Sequence, residues 1–415
     1  MDKRNIYILA TVAVAFLILI ILKNKDLQHV IITDDITLSI WASENEESNR
    51  TIDEITAAFQ ERYPTVNVIR SHYAPEDLRV QFQTAALARG GGDIVIAAND
   101  LAGPFSIMET IHSLQDKIDF SPYSDYVVNA VRDHNGNIWG LPIASGNHLM
   151  LLANRSLINN APLETIEQLV DLAKSLTDQR ARRFGFAYNL AEPFWFAPFV
   201  PAFGGDLLQG GRPSLDTPEM RAALQLVRDF KFSDQITPRD CDYNCMDALF
   251  VEGRTAIIIN GDWAIQKYEE LLGDNLLILP LPKLDRTSLH MRPFVSGKYI
   301  FLNRRLEGQR LEAAKQLALK LASDESQKIY VERNRRLPSL KRGRAVDAVN
   351  QDPILSAMYK ALEHGQPNPM AIEMRAVWDA MRPQLQAVMA GRATPERAAA
   401  VMQNDAETRI RSIRE

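Results

Sequence analysis

Cysteine is almost absent. Two residues in a chain of 415 exclude a disulfide scaffold and a zinc site built from thiolates. The seven histidines are scattered, without His-x-x-x-His or His-Glu-x-x-His spacing, so the sequence carries no zinc-hydrolase motif. Gly-x-Ser-x-Gly is missing, and with it the nucleophile elbow of serine hydrolases. The stretch Arg89-Gly-Gly-Gly-Asp93 lacks the Gly-Lys-Ser/Thr end of a phosphate-binding loop and reads as a loop entering a strand. Basic charge is not in excess: 47 Lys and Arg against 52 Asp and Glu leave a net charge of −5, which argues against nucleic-acid binding. Twenty glycines and 21 prolines give no collagen-like or disordered bias. What remains is 46% apolar and 24% charged, the composition of a globular chain of roughly two to three domains.

Long apolar runs are missing too, with one exception. Ile6 to Leu22 is interrupted only by Tyr7 and Thr11, follows Lys3 and Arg4, and precedes Lys23 and Lys25. Its length is at the short end for a membrane-spanning helix. The run ends Leu-Ile-Leu-Ile-Ile-Leu-Lys, without a small-x-small cleavage site, and no Cys follows to accept lipid. We read residues 1–30 as an uncleaved signal-anchor, a transmembrane helix that leaves the body outside the cytoplasm, periplasmic or extracellular. A cleaved signal peptide is the alternative, and it exports the body as well.

The body alternates strand and helix patterns. Ile36–Trp41 alternates and is β-rich, Val66–Ile69 is a second strand, and Asp93–Ala97 is a third, apolar on both faces. Between them, Thr51–Tyr63 and Leu78–Leu87 have helical spacing. Further strands are expected at 138–143, 149–153, 256–260, 276–279 and 298–302, and helices at 165–176, 218–230 and mostly from 311 onward. This order predicts an α/β protein with a parallel sheet.

Seven stretches in order carry a resemblance. They are Leu38-Ser-Ile-Trp41, Gly92–Asp100, Gly136–Ile143, Tyr188–Phe194 with Gly204-Gly205, Phe250–Trp263 (FVEGRTAIIINGDW), Pro293-Phe294-Val295 and Val377–Arg382. From about residue 36 to 410 the chain resembles the extracellular solute-binding proteins of ABC sugar importers, and in particular their maltose- and maltodextrin-binding branch. The resemblance implies a two-lobed, type II periplasmic-binding-protein-like fold with a hinge. The first lobe would be 36–145 and 295–336, the second 146–294 and 337–415, with crossings near Ala144–Asn147, Arg292–Val295 and Arg336–Ser339. It implies a binding protein rather than an enzyme, with no cofactor or metal. Its partners would be a carbohydrate ligand, the permease subunits of an ABC transporter, and the membrane through the N-terminal helix.

A sugar presents apolar C–H faces and a rim of hydroxyls, so its site needs flat aromatic rings and planar charged groups. By the resemblance, Trp263, Trp378 and Phe194 take stacking positions, Phe194 without the hydroxyl of the usual Tyr, and Trp195 adds a neighbouring face. Glu192 and Asp100 take hydroxyl-binding positions, and Arg382 follows Trp378 by one helical turn, provided Pro383 only bends or ends the helix. Trp263 stands at the end of a strand, where open α/β sheets bind ligands; Trp41 and Trp139 read as core. Two departures alter the expected ligand. Ala97 replaces a Trp, and Asn45-Glu46 replaces an Asp-Lys pair, which points to a shorter or different glycan and away from acidic sugars.

Other readings remain open. Glu192 and Glu46 would suit a polyamine, and a polyol would fit the same fold; Asp100 and Glu192 could pair in a tethered glycosidase; a tethered sensor is a further rival. Asp240–Asp247 resembles the start of a calcium loop but lacks its glycine and its bidentate Glu. Cys241 and Cys245 in the same loop are expected to form a small disulfide rather than two free thiols. Arg333–Arg344 holds six basic residues and reads as a solvated face rather than a contact with anionic lipid or a permease.

Overall fold

The computed structural model describes residues 32–159 and 161–414. The apolar run Ile6–Leu22, and with it the anchor reading, lies outside the described residues. No described helix is long and apolar enough to cross a membrane.

The strands of the two main sheets are β1 (Ile36–Ala42), β2 (Val66–His72), β3 (Ile94–Ala98), β4 (Leu141–Gly146), β5 (Leu149–Asn154), β6 (Phe184–Ala187), β7 (Thr255–Gly261), β8 (Leu276–Leu279), β9 (Phe294–Leu302) and β10 (Gln366–Pro367). The helices that matter for the site are α1 (Glu46–Arg62), α2 (Pro75–Leu87), α3 (Ile166–Leu176), α4 (Pro193–Phe196), α5 (Pro218–Phe232), α6 (Tyr243–Val251), α7 (Gly308–Leu321), α8 (Asp324–Asn334), α9 (Pro353–Ala361), α10 (Ile372–Met389) and α11 (Pro395–Arg414). Local chemistry sets their ends. Asn45 caps α1, Thr165 forms a capping box with Gln168 at α3, and Thr217 caps α5 ahead of Pro218. The strand expected at 138–143 is displaced to β4, because Ile138 instead bridges Arg132 and closes a turn.

Two sheets follow. The first has the order β10-β9-β3-β1-β2 with β4 on β9; the second has the order β8-β5-β7-β6. β1 is parallel to β2, Ile36 opposite Val66, and to β3, Ile40 opposite Ile94. The expectation of parallel pairing also fits β6 on β7 and β10 on β9, and is corrected for the other pairs. β9 runs antiparallel to both β3 and β4, and β5 runs antiparallel to both β7 and β8. β4 and β5 are joined by two residues but belong to different sheets, so β5 enters its sheet from the other lobe and not through a crossover helix, the connection a parallel neighbour needs.

Each sheet has its own core. Leu38, Ile40, Ile94, Phe105, Tyr299 and Phe301 belong to the first; Leu151, Phe186, Tyr188, Phe199, Ile258 and Met381 belong to the second. β3 is buried on both faces, and its sequence is accordingly an unbroken apolar run. Trp41 and Trp139 pack half-buried against the first core, Trp41 at 4.7 Å from Tyr73 and Trp139 with its indole N–H donated to Asp133 at 2.9 Å. The molecule is therefore a two-lobed α/β protein.

Candidate functional site

β7 delivers Trp263 two residues past its C-terminal end, in a 3-10 turn over Asp262–Ala264. Gly261 is required there, since a Cβ would come within 2.1 Å of the Trp263 ring; the indole lies directly against bare backbone. α4 adds Phe194 and Trp195, with Glu192 as N-cap and Pro193 at the first position. Trp195 is 8% exposed and donates its indole N–H to the Ile259 carbonyl at 2.9 Å, so it buttresses the group. α10 contributes Trp378, 7% exposed and 5.5 Å from Phe294. The half-buried Phe194 ring links the two larger ones, 6.3 Å from Trp263 and 6.4 Å from Trp378, and Trp195 stands 5.8 Å from Trp263. These separations are those of aromatic contacts.

Charged groups border this aromatic shelf. α10 runs on through Pro383, so Trp378 and Arg382 share a face, and Arg382 forms an ion pair with Glu192. One turn earlier, Arg375 donates to Glu76 of α2 at 3.0 and 3.2 Å and to Asp379 at 2.8 Å. Glu76 belongs to the first lobe and Arg375 to the second, so this fork bridges the lobes. Burial pushes the Asp100 carboxyl above the usual carboxylate range, against the pull of the Arg375 guanidinium. Burial also pushes Glu76 up, but Arg375 and Arg79 outweigh it and hold that carboxyl low. Asn45 makes a second bridge: its carbonyl accepts from Ser48 N at 2.8 Å to cap α1, while its amide donates to the Trp263 carbonyl at 3.3 Å. Glu46 is exposed, and its ion pair is with Arg50. Of the nine residues singled out by sequence, six thus form one cluster on the second lobe, Asn45 joins it from the first, Asp100 faces it through Arg375, and Glu46 is engaged at the surface. Such a set can take an apolar C–H face on the rings and hydroxyl pairs on the guanidinium and carboxylates. Among the described residues, no three His, Cys, Asp or Glu side chains are grouped to hold a metal ion.

Residues 54–357 match a family described as bacterial extracellular solute-binding protein. The chain belongs to that family. The solute-binding protein is 25% identical over 379 residues to the galactooligosaccharide-binding protein of Bacillus subtilis, covering 87% of this chain and 86% of the relative. It is 23% identical over 365 residues to the maltotriose-binding protein of Pyrococcus abyssi, covering 82% and 74%. Among solved structures, it superposes with a TM-score of 0.85 and 32% identity on the maltose/maltodextrin-binding domain from Bdellovibrio bacteriovorus bound to maltotriose, covering 90% of this chain and all of that one. The Thermus thermophilus maltotriose-binding protein, at 21% identity and a TM-score of 0.79, shares the fold.

Two features of this solute-binding protein were not singled out by sequence. The first is Arg375, whose only signal is its spacing of three and four from Trp378 and Asp379. The second is an ion cluster between the lobes. Glu44 pairs with Lys298 at 2.9 Å and with Arg336 at 3.2 Å, and Arg336 lies 3.5 Å from Asp262. Asp262 also accepts from Asn147 N at 2.9 Å, against Gly146, where a Cβ would meet the same carboxylate at 2.5 Å. His148 is fully buried beside it, and burial lowers its pKa against the raising field of Asp262. The reading of Arg333–Arg344 as a solvated face fits Arg333, Lys341, Arg342 and Arg344, which are exposed, and is corrected for Arg335 and Arg336. Arg336 is 5% exposed within this cluster, and Arg335 pairs with Asp352 at 2.6 Å. The cause is that the irregular segment after α8 passes between two acidic groups, Glu44 beside the first core and Asp262 beside the second. Cys241 and Cys245 are joined in a disulfide. In the same loop Asp242 caps α6, and Asp247 accepts from Lys267 and Tyr268, so these carboxylates are engaged in the fold.

Proposed function

We propose that this protein is the extracytoplasmic binding component of an ABC importer, and that its ligand is a neutral carbohydrate of oligosaccharide type held between the lobes. The observation that carries the reading is the Phe194–Trp263–Trp378 cluster bordered by the Glu192–Arg382 pair. Rings of this kind take the C–H faces of a sugar, and the charged pair takes its hydroxyls. The relatives described above carry galactooligosaccharide, maltodextrin or maltotriose in their names, which supports the ligand class. Trp263, Trp378 and Phe194 serve as stacking faces, Trp195 as their support, and Glu192, Arg382 and Asp100 as hydroxyl-binding groups. Asn45 and Glu46 line the rim contributed by the first lobe.

Lobe one comprises 36–145 and 295–336, and lobe two 146–294 and 337–415, an assignment supported by the two sheets and their separate cores except at Leu340 and at β10, which join the first core and the first sheet. Ligand contacts to both lobes favour the closed arrangement, which the permease then recognises; no bond is made or broken. Residues 1–30 tether the body to the cell membrane as a single-pass anchor.

Thermal unfolding of the protein against maltooligosaccharides, galactooligosaccharides, polyols and polyamines tests the ligand class. A ligand at 100 times its Kd adds about 2.7 kcal/mol, a shift of several degrees. Stabilisation by one sugar series is the expected result. Stabilisation by a polyamine alone, or by nothing in the panel, would reject the carbohydrate reading.

A further inference from the structure

Trp263 leaves β7 in a 3-10 turn, and a turn by itself does not fix the direction of an indole. Its neighbours do. On one side the ring lies on the bare backbone of Gly261. Next to it stands a phenol. Tyr243, half-buried at the first position of α6, accepts at its hydroxyl from the Trp263 indole N–H and from the Asn260 amide. The Trp195 ring meets both edge-on, 6.0 Å from Tyr243 and 5.8 Å from Trp263. Asn260 is fully buried and anchors the phenol in turn. Its amide also donates to the Tyr268 hydroxyl at 2.8 Å, and its carbonyl accepts from Gly261 N at 2.8 Å. The Tyr268 hydroxyl donates to Asp247 at 2.9 Å, which returns the network to α6.

Tyr243 is also the midpoint of the loop that the disulfide closes. Cys241 stands two positions before it and Cys245 two after. α6 has only nine residues, too few to keep its own first turn ordered in isolation. The covalent bond spans that turn. Asp242 accepts from Cys245 N at 2.9 Å across the same residues, and Leu190 N donates to the Cys241 carbonyl at 3.1 Å. The start of α6 is thereby fastened to itself and to the segment that leads into Glu192 and Phe194. A phenol on that turn has a fixed direction, and the indole bonded to it inherits the direction. An aromatic face ordered before the ligand arrives spares the ligand the cost of ordering it.

We propose that Tyr243 is a positioning residue that sets the stacking face of Trp263, and that the Cys241–Cys245 disulfide keeps Tyr243 in place for this purpose. The effect on affinity rests on the carbohydrate reading above; the orientation of the indole is measured without a ligand. Near-UV circular dichroism of the ligand-free, full-length protein supplies that measurement, the Trp263 band being the difference from Trp263→Phe. The band should weaken in Tyr243→Phe and in the double variant Cys241→Ser/Cys245→Ser. Titration calorimetry with maltotriose and with a galactotriose should show about a fivefold loss of affinity in each, the cost of ordering one side chain on binding. Placed in Trp263→Phe, Tyr243→Phe should cause no further loss. An unaltered Trp263 band in Tyr243→Phe, which keeps both the ring and the disulfide, overturns the positioning role; an unaltered band in the double variant overturns that of the disulfide. A full loss from Tyr243→Phe in the Trp263→Phe background makes Tyr243 a sugar contact in its own right and overturns the proposal as well. If neither trisaccharide binds the wild type, the carbohydrate reading falls, and the dichroism alone decides what sets the indole.

Discussion

Replacing Arg375 by Met removes a charge that spans the cleft while keeping its aliphatic stem. Two of its bonds go to Asp379, one turn along the same helix, and do not sense how the lobes are arranged. Only the two bonds to Glu76, at 3.0 and 3.2 Å, cross between the lobes. Arg375 is 19% exposed but Glu76 is 57% exposed, so solvent screens the pair and the bidentate geometry places it near the top of the range for surface pairs, about 1 kcal/mol. The ratio of closed to open forms should then fall about fivefold. Small-angle scattering should show a larger radius of gyration for ligand-free Arg375→Met, and calorimetry about a fivefold loss in sugar affinity. Glu76→Gln should do the same, and the double variant should do no more than either alone. Loss of the guanidinium should also push the Asp100 carboxyl further up, since that cation now opposes the effect of its burial. Purely additive effects of the two single variants, or a ligand-free radius unchanged in Arg375→Met, would refute the bridge.

Trp263→Ala and Trp378→Ala should both weaken ligand binding, but they should differ in stability. Trp378 is almost fully buried and its loss should cost about 3 kcal/mol, whereas half-buried Trp263 should cost less; equal Tm values would contradict this. Asp93, buried between Arg305 at 2.9 Å and Arg310 at 2.8 Å, should on conversion to Asn cost about 3 kcal/mol, because two cations lose their partner. Burial pushes its carboxyl up, but Arg310 and Ser39 outweigh burial and hold it below the usual range. A carboxyl depressed in the folded state stabilises above its unfolded pKa of about 4 and loses that contribution as pH falls through the folded value. The denaturation gap between wild type and Asp93→Asn should therefore be full at pH 7 and shrink as pH falls from about 4 through the folded value; a constant gap would exclude this origin. Arg336→Met should destabilise the connection between the lobes by leaving buried Glu44 and Asp262 short of a cation; an unchanged denaturation midpoint would argue against it. Thiol titration of the unfolded, unreduced protein should find no free cysteine.

Local order was legible in the sequence. Alternation marks β1, the unbroken apolar run marks β3, and helical spacing marks the bodies of the helices at 51–63, 165–176 and 218–230, although the first of them begins five residues earlier behind the Asn45 cap, because pleat and helical period are set within a few residues. The spacing of Trp378 and Arg382 placed them on one helix face for the same reason. Tertiary structure decided the rest. Glu192 meets Arg382 across 190 positions, Glu44 meets Arg336 across 292, and Glu76 meets Arg375 across 299; no local periodicity encodes such pairs. The antiparallel entry of β5 depends on a chain that passes between lobes, which an alternation of strands and helices does not reveal. Burial of Arg336 followed from two acidic groups brought to the crossing by different sheets. A basic residue beside other basic residues has no local signature that separates a solvated charge from one neutralised inside the fold, because its partner is supplied by topology.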